Sequence, residues 1–264
     1  MTTATARPGE FCWFELATSD QPAAKRFYES LFGWVSHDTP IGPDGHYTFF
    51  RLGGRDAAAG HTLHPEQRSQ GVPPNWGIYV LVEDADAAAA RAASLGGTVI
   101  VPPFDVMESG RMSVIMDPAG AIFSIWQAKQ HVGVGVRDEP GSVVWADLQV
   151  HDQPKAAAFY SALFGWKMVE GRSMNPAKPG DYYHIVNGDT MIGGVPPAEH
   201  LDPKAHPAWL IYVGVEDCPA VTKKAVSLGG TAYVDTMAIG EEGRISVIAD
   251  PQGAVFAIHE SRKG

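Results

Sequence analysis

FELATSDQPAAKRFYESLFGW, residues 14–34, has a second version at residues 146–166, ADLQVHDQPKAAAFYSALFGW. Aspartate, Gln-Pro, Phe-Tyr and Leu-Phe-Gly-Trp recur 132 residues apart, Phe27 against Phe159. Working outward, IYVLVED (78–84) matches IYVGVED (211–217), and SLGGT (94–98) matches SLGGT (227–231). GRMSVIMDPAGAIFSI (110–125) then matches GRISVIADPQGAVFAI (243–258). Blocks in one order at nearly one spacing, 132 or 133 residues, make the chain a tandem duplication, with domains at 1–134 and 135–264. AKQHVGVGVRDEPG (128–141), with its glycines, charges and proline, reads as the linker between them.

A shorter period lies inside each half. Asp20, Asp84, Asp152 and Asp217 each precede a leucine by eleven residues (Leu31, Leu95, Leu163, Leu228). Each also precedes a glycine by thirteen (Gly33, Gly97, Gly165, Gly230). An aspartate at the end of a short apolar strand can cap the free N–H groups of a following helix. Ala24, Phe27 or Tyr28, and Leu31 make the buried stripe of that helix, and a left-handed glycine ends it. Alternating runs follow: VSHDT, HYTFFRL and AAAGHTL after the first helix, TVIVPPF, RMSVIM and AIFSIWQ after the second. The unit is strand–helix–strand–strand–strand, repeated four times. The fold class is α+β.

Composition narrows the function. With 45% hydrophobic and 19% charged residues the chain can bury a core, and no run approaches the ~18–20 apolar residues of a membrane span. The first residues, MTTATARPGE, lack the hydrophobic region of a secretory signal. Acidic groups outnumber basic ones 30 to 20, a formal charge of −10, which disfavours nucleic acid and anionic lipid as partners. Cys12 and Cys218 occupy non-equivalent positions, so no disulfide framework is expected and a cytoplasmic location is.

Four βαβββ modules with helix-start aspartates, LGG helix ends and DPAG (117–120) or DPQG (250–253) before the last strand resemble the vicinal oxygen chelate superfamily. That superfamily includes glyoxalase I, extradiol dioxygenases and bleomycin-resistance proteins, and the closest look is to two-domain glyoxalase-like proteins of actinobacteria. The resemblance implies two half-open, cup-shaped domains that take a small molecule. It also implies a metal held by a histidine or glutamine on the first strand of a unit and a glutamate on its last. Seven residues before each helix-start aspartate stand Trp13, Gly77, Trp145 and Leu210; seven after the DPxG aspartates stand Ser124 and Ala257. Metal sites need about three imidazole or carboxylate groups converging, so neither a metal nor another cofactor is expected. His61 and His64, near the fourth strand, are the nearest substitute and read as solvated loop residues.

Strand alternation then assigns faces. The first cup receives Trp13, Glu15, Gly77, Tyr79, Ser124 and Trp126. The second receives Trp145, Asp147, Gln149, Leu210, Tyr212, Ala257 and His259, with Tyr182 or His184 near. Phe14, Leu16, Ile78, Val80 and their counterparts face the helices. Aromatic rings in the ligand positions suit a planar or apolar ligand, and Arg111 and Arg244 join the candidate binding residues; the alternative for Glu15 and Asp147 is an ion pair with one of these arginines. The leading expectation is a metal-independent small-molecule-binding protein, monomer or homodimer. The alternatives are a metal-free lyase, isomerase or biosynthetic accessory enzyme with Asp147 and His259 as acid–base pair, and, on fold analogy alone, a metal-dependent glyoxalase or dioxygenase.

Overall fold

The computed structural model describes residues 6–41, 45–171 and 182–262, and in them the four units are present. The first comprises β1 (Phe11–Thr18), α1 (Gln21–Phe32), β2 (Val35–Pro40), β3 (His46–Leu52) and β4 (Arg55–Thr62). A short helix, α2 (Pro65–Ser69), leads to β5 (Asn75–Leu81), α3 (Ala85–Ser94), β6 (Thr98–Val106), β7 (Gly110–Met116) and β8 (Ile122–Ala128). The third unit is β9 (Val143–Gln149), α4 (Gln153–Phe164), β10 (Lys167–Glu170), β11 (Tyr183–Asn187) and β12 (Thr190–Val195). The fourth is β13 (Ala208–Gly214), α5 (Cys218–Ser227), β14 (Thr231–Ala238), β15 (Gly243–Ala249) and β16 (Val255–Ser261).

Each aspartate caps its helix as expected. Asp20, Asp84, Asp152 and Asp217 accept from the backbone N–H three residues on, at Ala23, Ala87, Lys155 and Ala220, over 2.9, 2.9, 3.0 and 2.9 Å. A cap of this kind contributes about 1 kcal/mol. The stripe Ala24, Phe27, Tyr28 and Leu31 is buried. The helix ends divide into two kinds. Gly33 and Gly165 close α1 and α4 in the left-handed conformation. In the other two units the left-handed residue is Gly96 or Gly229, one before the glycine that the thirteen-residue frame selects. Gly97 is needed for close approach instead: a Cβ there would stand 3.0 Å from the Ala92 carbonyl and 3.1 Å from the Phe159 ring.

The strands form two mixed sheets, ordered β2-β3-β4-β1-β5-β8-β7-β6 and β10-β11-β12-β9-β13-β16-β15-β14. The first and last strands of each unit run parallel, and the other pairings within a unit are antiparallel. By contact density the chain divides differently from the sequence repeat. One compact unit gathers Met1–Trp13, Ile78–Gly133 and Trp145–Leu210; the other gathers Phe14–Gly77, Val134–Val144 and Ile211–Gly264.

Reciprocal contacts explain why each unit draws on both halves. In the first, α3 packs against α4, and the Trp166 indole N–H donates to the Gly9 carbonyl at 2.7 Å. In the second, α1 packs against α5, and Trp34 donates to the Gly141 carbonyl at 2.7 Å. Trp34 and Trp166 are repeat equivalents, as are Gly9 and Gly141. The core of the second unit holds a buried polar chain. Trp76 donates to the Tyr28 hydroxyl at 2.9 Å, which donates to Asp250 at 3.0 Å. The first unit repeats part of it, Trp209 donating to Tyr160 at 3.2 Å beside Asp117. Burial raises Asp250 and Asp117 above the usual carboxylate range and drives both tyrosines well above theirs.

Both cysteines are buried thiols outside any disulfide. Among the described residues no helix is long and apolar enough to cross a membrane. Residues 1–5 of the N-terminal stretch lie outside the described residues.

Candidate functional site

In the third unit, β-sheet register sets His184, Gly194 and Asp147 side by side on β11, β12 and β9. Period-two alternation then puts Trp145 and Gln149 on the same face as Asp147, and Tyr182 on that of His184. The Asp147 carboxylate is 4% exposed. Its Oδ1 accepts from the Tyr182 hydroxyl at 2.7 Å and from the Trp145 indole N–H at 3.0 Å. The same indole N–H lies 2.9 Å from the Tyr182 oxygen. The His184 ring meets Trp145 and Tyr182 edge-on, with centroids 5.9 and 5.4 Å away. Gly194 makes the convergence possible, since a Cβ there would collide with the Tyr182 hydroxyl and stand 2.8 Å from Asp147 Oδ1. Trp145, Tyr182 and His184 are each partly exposed, while the Asp147 side chain that Trp145 and Tyr182 hold is buried.

The first unit carries the equivalent row: Phe49, Ala59 and Glu15 on β3, β4 and β1. Tyr47, two residues before Phe49, donates to Glu15 Oε2 at 2.6 Å. His61 Nδ1 lies 3.4 Å from Glu15 Oε1. His61 therefore sits inside β4 rather than in a solvated loop, while His64 is exposed at the start of α2. A carboxylate–tyrosine pair is thus present in both halves, Glu15–Tyr47 and Asp147–Tyr182. Strand alternation selects the two carboxylates, with Tyr182 only as a neighbour, and does not select Tyr47. Its signal was there in HYTFFRL, where alternation places Tyr47 with Phe49.

The other expected lining residues are enclosed. Trp13, Tyr79, Trp126 and Ser124 are 3%, 6%, 6% and 8% exposed. The linker residue His131 packs its ring 4.3 Å from that of Trp13, and its carbonyl accepts from the Trp126 indole at 2.8 Å. The linker segment thus packs directly against Trp13 and Trp126. Tyr212 is also buried, opposite Ala257 in the β13–β16 pairing. Gln149 is half-buried.

Neither arginine pairs with the carboxylate assigned to it. Arg111 binds Asp86 at 2.7 and 2.9 Å and reaches Asp105 at 3.4 Å. Arg111 beside Asp86, and Lys129 beside Asp105, hold those two carboxyls below their usual range. Arg244 lies 3.8 Å from Glu260. A buried carboxylate needs donors, and here tyrosine and tryptophan hydroxyl and indole groups supply them at shorter range. Asp147 and His259 belong to different compact units. The His259 Nε2 lies 3.1 Å from the Glu242 carbonyl.

The superfamily's metal can be tested against these residues. First-strand positions hold Trp13, Gly77, Trp145 and Leu210. Register places Ser124 opposite Tyr79 and Ala257 opposite Tyr212, and by the same register Ala59 and Gly194 stand opposite Glu15 and Asp147. Indole, alkyl and hydrogen side chains with one serine hydroxyl do not make a ligand set for zinc, iron or manganese. Among the described residues no three His, Cys, Asp or Glu side chains converge elsewhere. These residues do not fit the metal.

Comparisons with known proteins agree with the architecture. The family described as Glyoxalase/Bleomycin resistance protein/Dioxygenase superfamily matches twice, at residues 11–125 and 142–258. CFP32 of Mycobacterium tuberculosis, a protein that carries a glyoxylase name, is 38% identical over 96% of this chain and 95% of its own. The anthracycline biosynthesis protein DnrV of Streptomyces peucetius is 34% identical over 97% of this chain and 95% of its own. Among solved structures, the Mn(II)-bound glyoxalase of Novosphingobium aromaticivorans has a TM-score of 0.67 at 14% identity, covering 97% of this chain and 83% of that one. The 2,3-dioxygenase LapB of Pseudomonas sp. KL28 gives 0.64 at 13%, covering 97% and 94%. At such identity these structures share the fold alone. With the family matched over both halves and full-length relatives above 30% identity, the chain belongs to the Glyoxalase/Bleomycin resistance protein/Dioxygenase superfamily.

Proposed function

We propose that this chain binds a small planar or apolar molecule against Trp145, Tyr182 and His184, and that it does so without a metal. The observation that carries the reading is the Asp147 carboxylate. It occupies the face on which the superfamily gathers its ligands, yet it is committed to a tyrosine hydroxyl and an indole N–H. Ring edges supply contact area and shape for a flat ligand, and the carboxylate–tyrosine pair supplies the polar anchor. Two relatives named for anthracycline biosynthesis are in keeping with a flat, ring-bearing ligand.

The test is equilibrium dialysis of polycyclic aromatic ketones against chelator-treated protein. Saturable binding is expected, weakened about tenfold or more in Trp145→Ala, which corresponds to about 1.4 kcal/mol. If neither Trp145→Ala nor Asp147→Asn alters the affinity of any compound that binds, the site is elsewhere.

A second reading is acid–base chemistry without a metal. It is favoured by the 2.7 Å hydrogen bond between a phenol and a buried carboxylate, since such a pair can pass a proton to a bound ligand. The sequence pairs Asp147 with His259 as the base. Turnover that survives His259→Ala would remove His259 from the mechanism.

A further inference from the structure

The first half holds a polar cluster of different make-up from the second. Glu15 on β1, Tyr47 on β3 and His61 on β4 converge on one face, and Ala59 lies buried in the row between Phe49 and Glu15. His61 and Glu15 have side chains 17% and 16% exposed, so both can be reached from solvent. Relative to the second half, Phe49 stands where His184 does, and His61 where register continues to Pro196. The imidazole therefore follows the tyrosine by two residues in the second half, and in the first lies on β4, the strand paired with that of the carboxylate.

That move has a chemical consequence. With Nδ1 turned to Glu15, a neutral His61 ring carries its proton on that nitrogen and offers Nε2 as an acceptor. The carboxylate at this distance favours the tautomer with the proton on Nδ1. The groups facing His61 are Glu15 from β1, Tyr47 from β3 and the His64 ring 5.8 Å away in the following turn. Lys25 and Asp38 pair with each other and meet β3 through Thr48, which alternates to the opposite face from Tyr47. Tyr47 and Phe49 stand edge-to-face with centroids 5.1 Å apart, giving an aromatic wall beside the acceptor.

We propose that Glu15, Tyr47 and His61 form a second ligand site, which takes a flat aromatic compound bearing a hydrogen-bond donor at its ring edge, a hydroxyl or a ring N–H. His61 Nε2 accepts that donor, Glu15 positions the imidazole, and the Tyr47–Phe49 wall contacts the ring. The carboxylate disfavours ligands that carry a carboxylate or phosphate. The site goes beyond the reading of the second half, because none of its residues belongs to the Asp147 cluster.

The experiment is equilibrium dialysis of 2-naphthol and of 2-methoxynaphthalene against the full chain in chelator. Asp147→Asn protein serves as the background in which the second-half site is disabled. In that background 2-naphthol should bind saturably and the methyl ether at least tenfold more weakly. His61→Ala should abolish the preference. His61→Gln, which keeps an acceptor and guards against a misfolded alanine variant, should retain part of it, and Glu15→Gln should lower 2-naphthol affinity several-fold. Equal affinity for the two compounds, a preference that survives His61→Ala, or binding that appears only with added zinc would overturn the proposal. Loss of saturable 2-naphthol binding in the Asp147→Asn background would likewise overturn it. A His61-dependent preference with no effect of Asp147→Asn would sink the second-half reading alone.

Discussion

Replacing Tyr28 by phenylalanine isolates one oxygen atom at the centre of the second compact unit. Tyr28 is 0% exposed, and its hydroxyl is the middle of the chain from the Trp76 indole to Asp250. Without it, a buried indole N–H and a buried carboxylate oxygen both lose that partner. The phenyl ring still packs on Phe27, Trp34, Phe50 and Phe256, so little transfer free energy changes. A buried neutral group left unsatisfied costs about 1–3 kcal/mol, and a charged one more. The intrinsic gain from desolvating one hydroxyl fewer offsets part of this, leaving an expected loss of about 2–4 kcal/mol. Urea unfolding at pH 7 reads it as a lowered midpoint with an unchanged slope. The equivalent change at the candidate site should behave differently. Tyr182 is half-buried, Trp145 still donates to Asp147, and water can replace the hydroxyl, so Tyr182→Phe should cost under about 1 kcal/mol. Tyr28→Phe losing less than about 0.5 kcal/mol would refute the view that this chain holds the unit together.

Three further outcomes follow from the same geometry. Burial raises the Asp250 carboxyl, so the folded state holds that proton more tightly than the unfolded one. Its contribution is complete below the unfolded value of about 3.9 and is lost as pH rises through the raised folded value; Asp250→Asn should flatten that part of the urea stability profile, and an unchanged profile would contradict it. Gly194→Ala should push the Tyr182 ring off Asp147 and weaken ligand binding about tenfold with a smaller effect on unfolding, checked by dialysis beside a melt. Gly110→Ala should instead destabilise by about 1–3 kcal/mol, because the new methyl would overlap Trp126 and stand 2.7 Å from the Gln127 carbonyl; a melt unchanged from the parent would show the Trp126 ring to be loosely held.

What the sequence disclosed was whatever repeats. The duplication, the four units and the four capping aspartates are local patterns set by backbone chemistry, and the structure keeps all of them. The frame could not tell Gly96 from Gly97, because one serves the backbone dihedral and the other a tertiary approach to Phe159. At the site, alternation found Glu15, Trp145 and Asp147, but of the tyrosines paired with the carboxylates it gave Tyr182 only as a neighbour and did not reach Tyr47. That pairing crosses from β3 to β1 and from the segment before β11 to β9, and its register is set by pairings far apart in the chain. The assignment of Arg111 failed for a similar reason, since Asp86 at the start of α3 and Asp105 on β6 are nearer than any strand-face argument reveals. The enclosure of Trp13 and Trp126 by His131 depends on the path of a linker, which periodicity does not encode.

The most direct test of a metal-independent site is elemental analysis of untagged protein before and after soaking with zinc, nickel, manganese and ferrous iron, paired with dialysis of an aromatic ligand. The account predicts metal well below one equivalent per chain under every condition, with ligand affinity unchanged by chelation. A tightly held stoichiometric metal whose removal abolishes binding would contradict it.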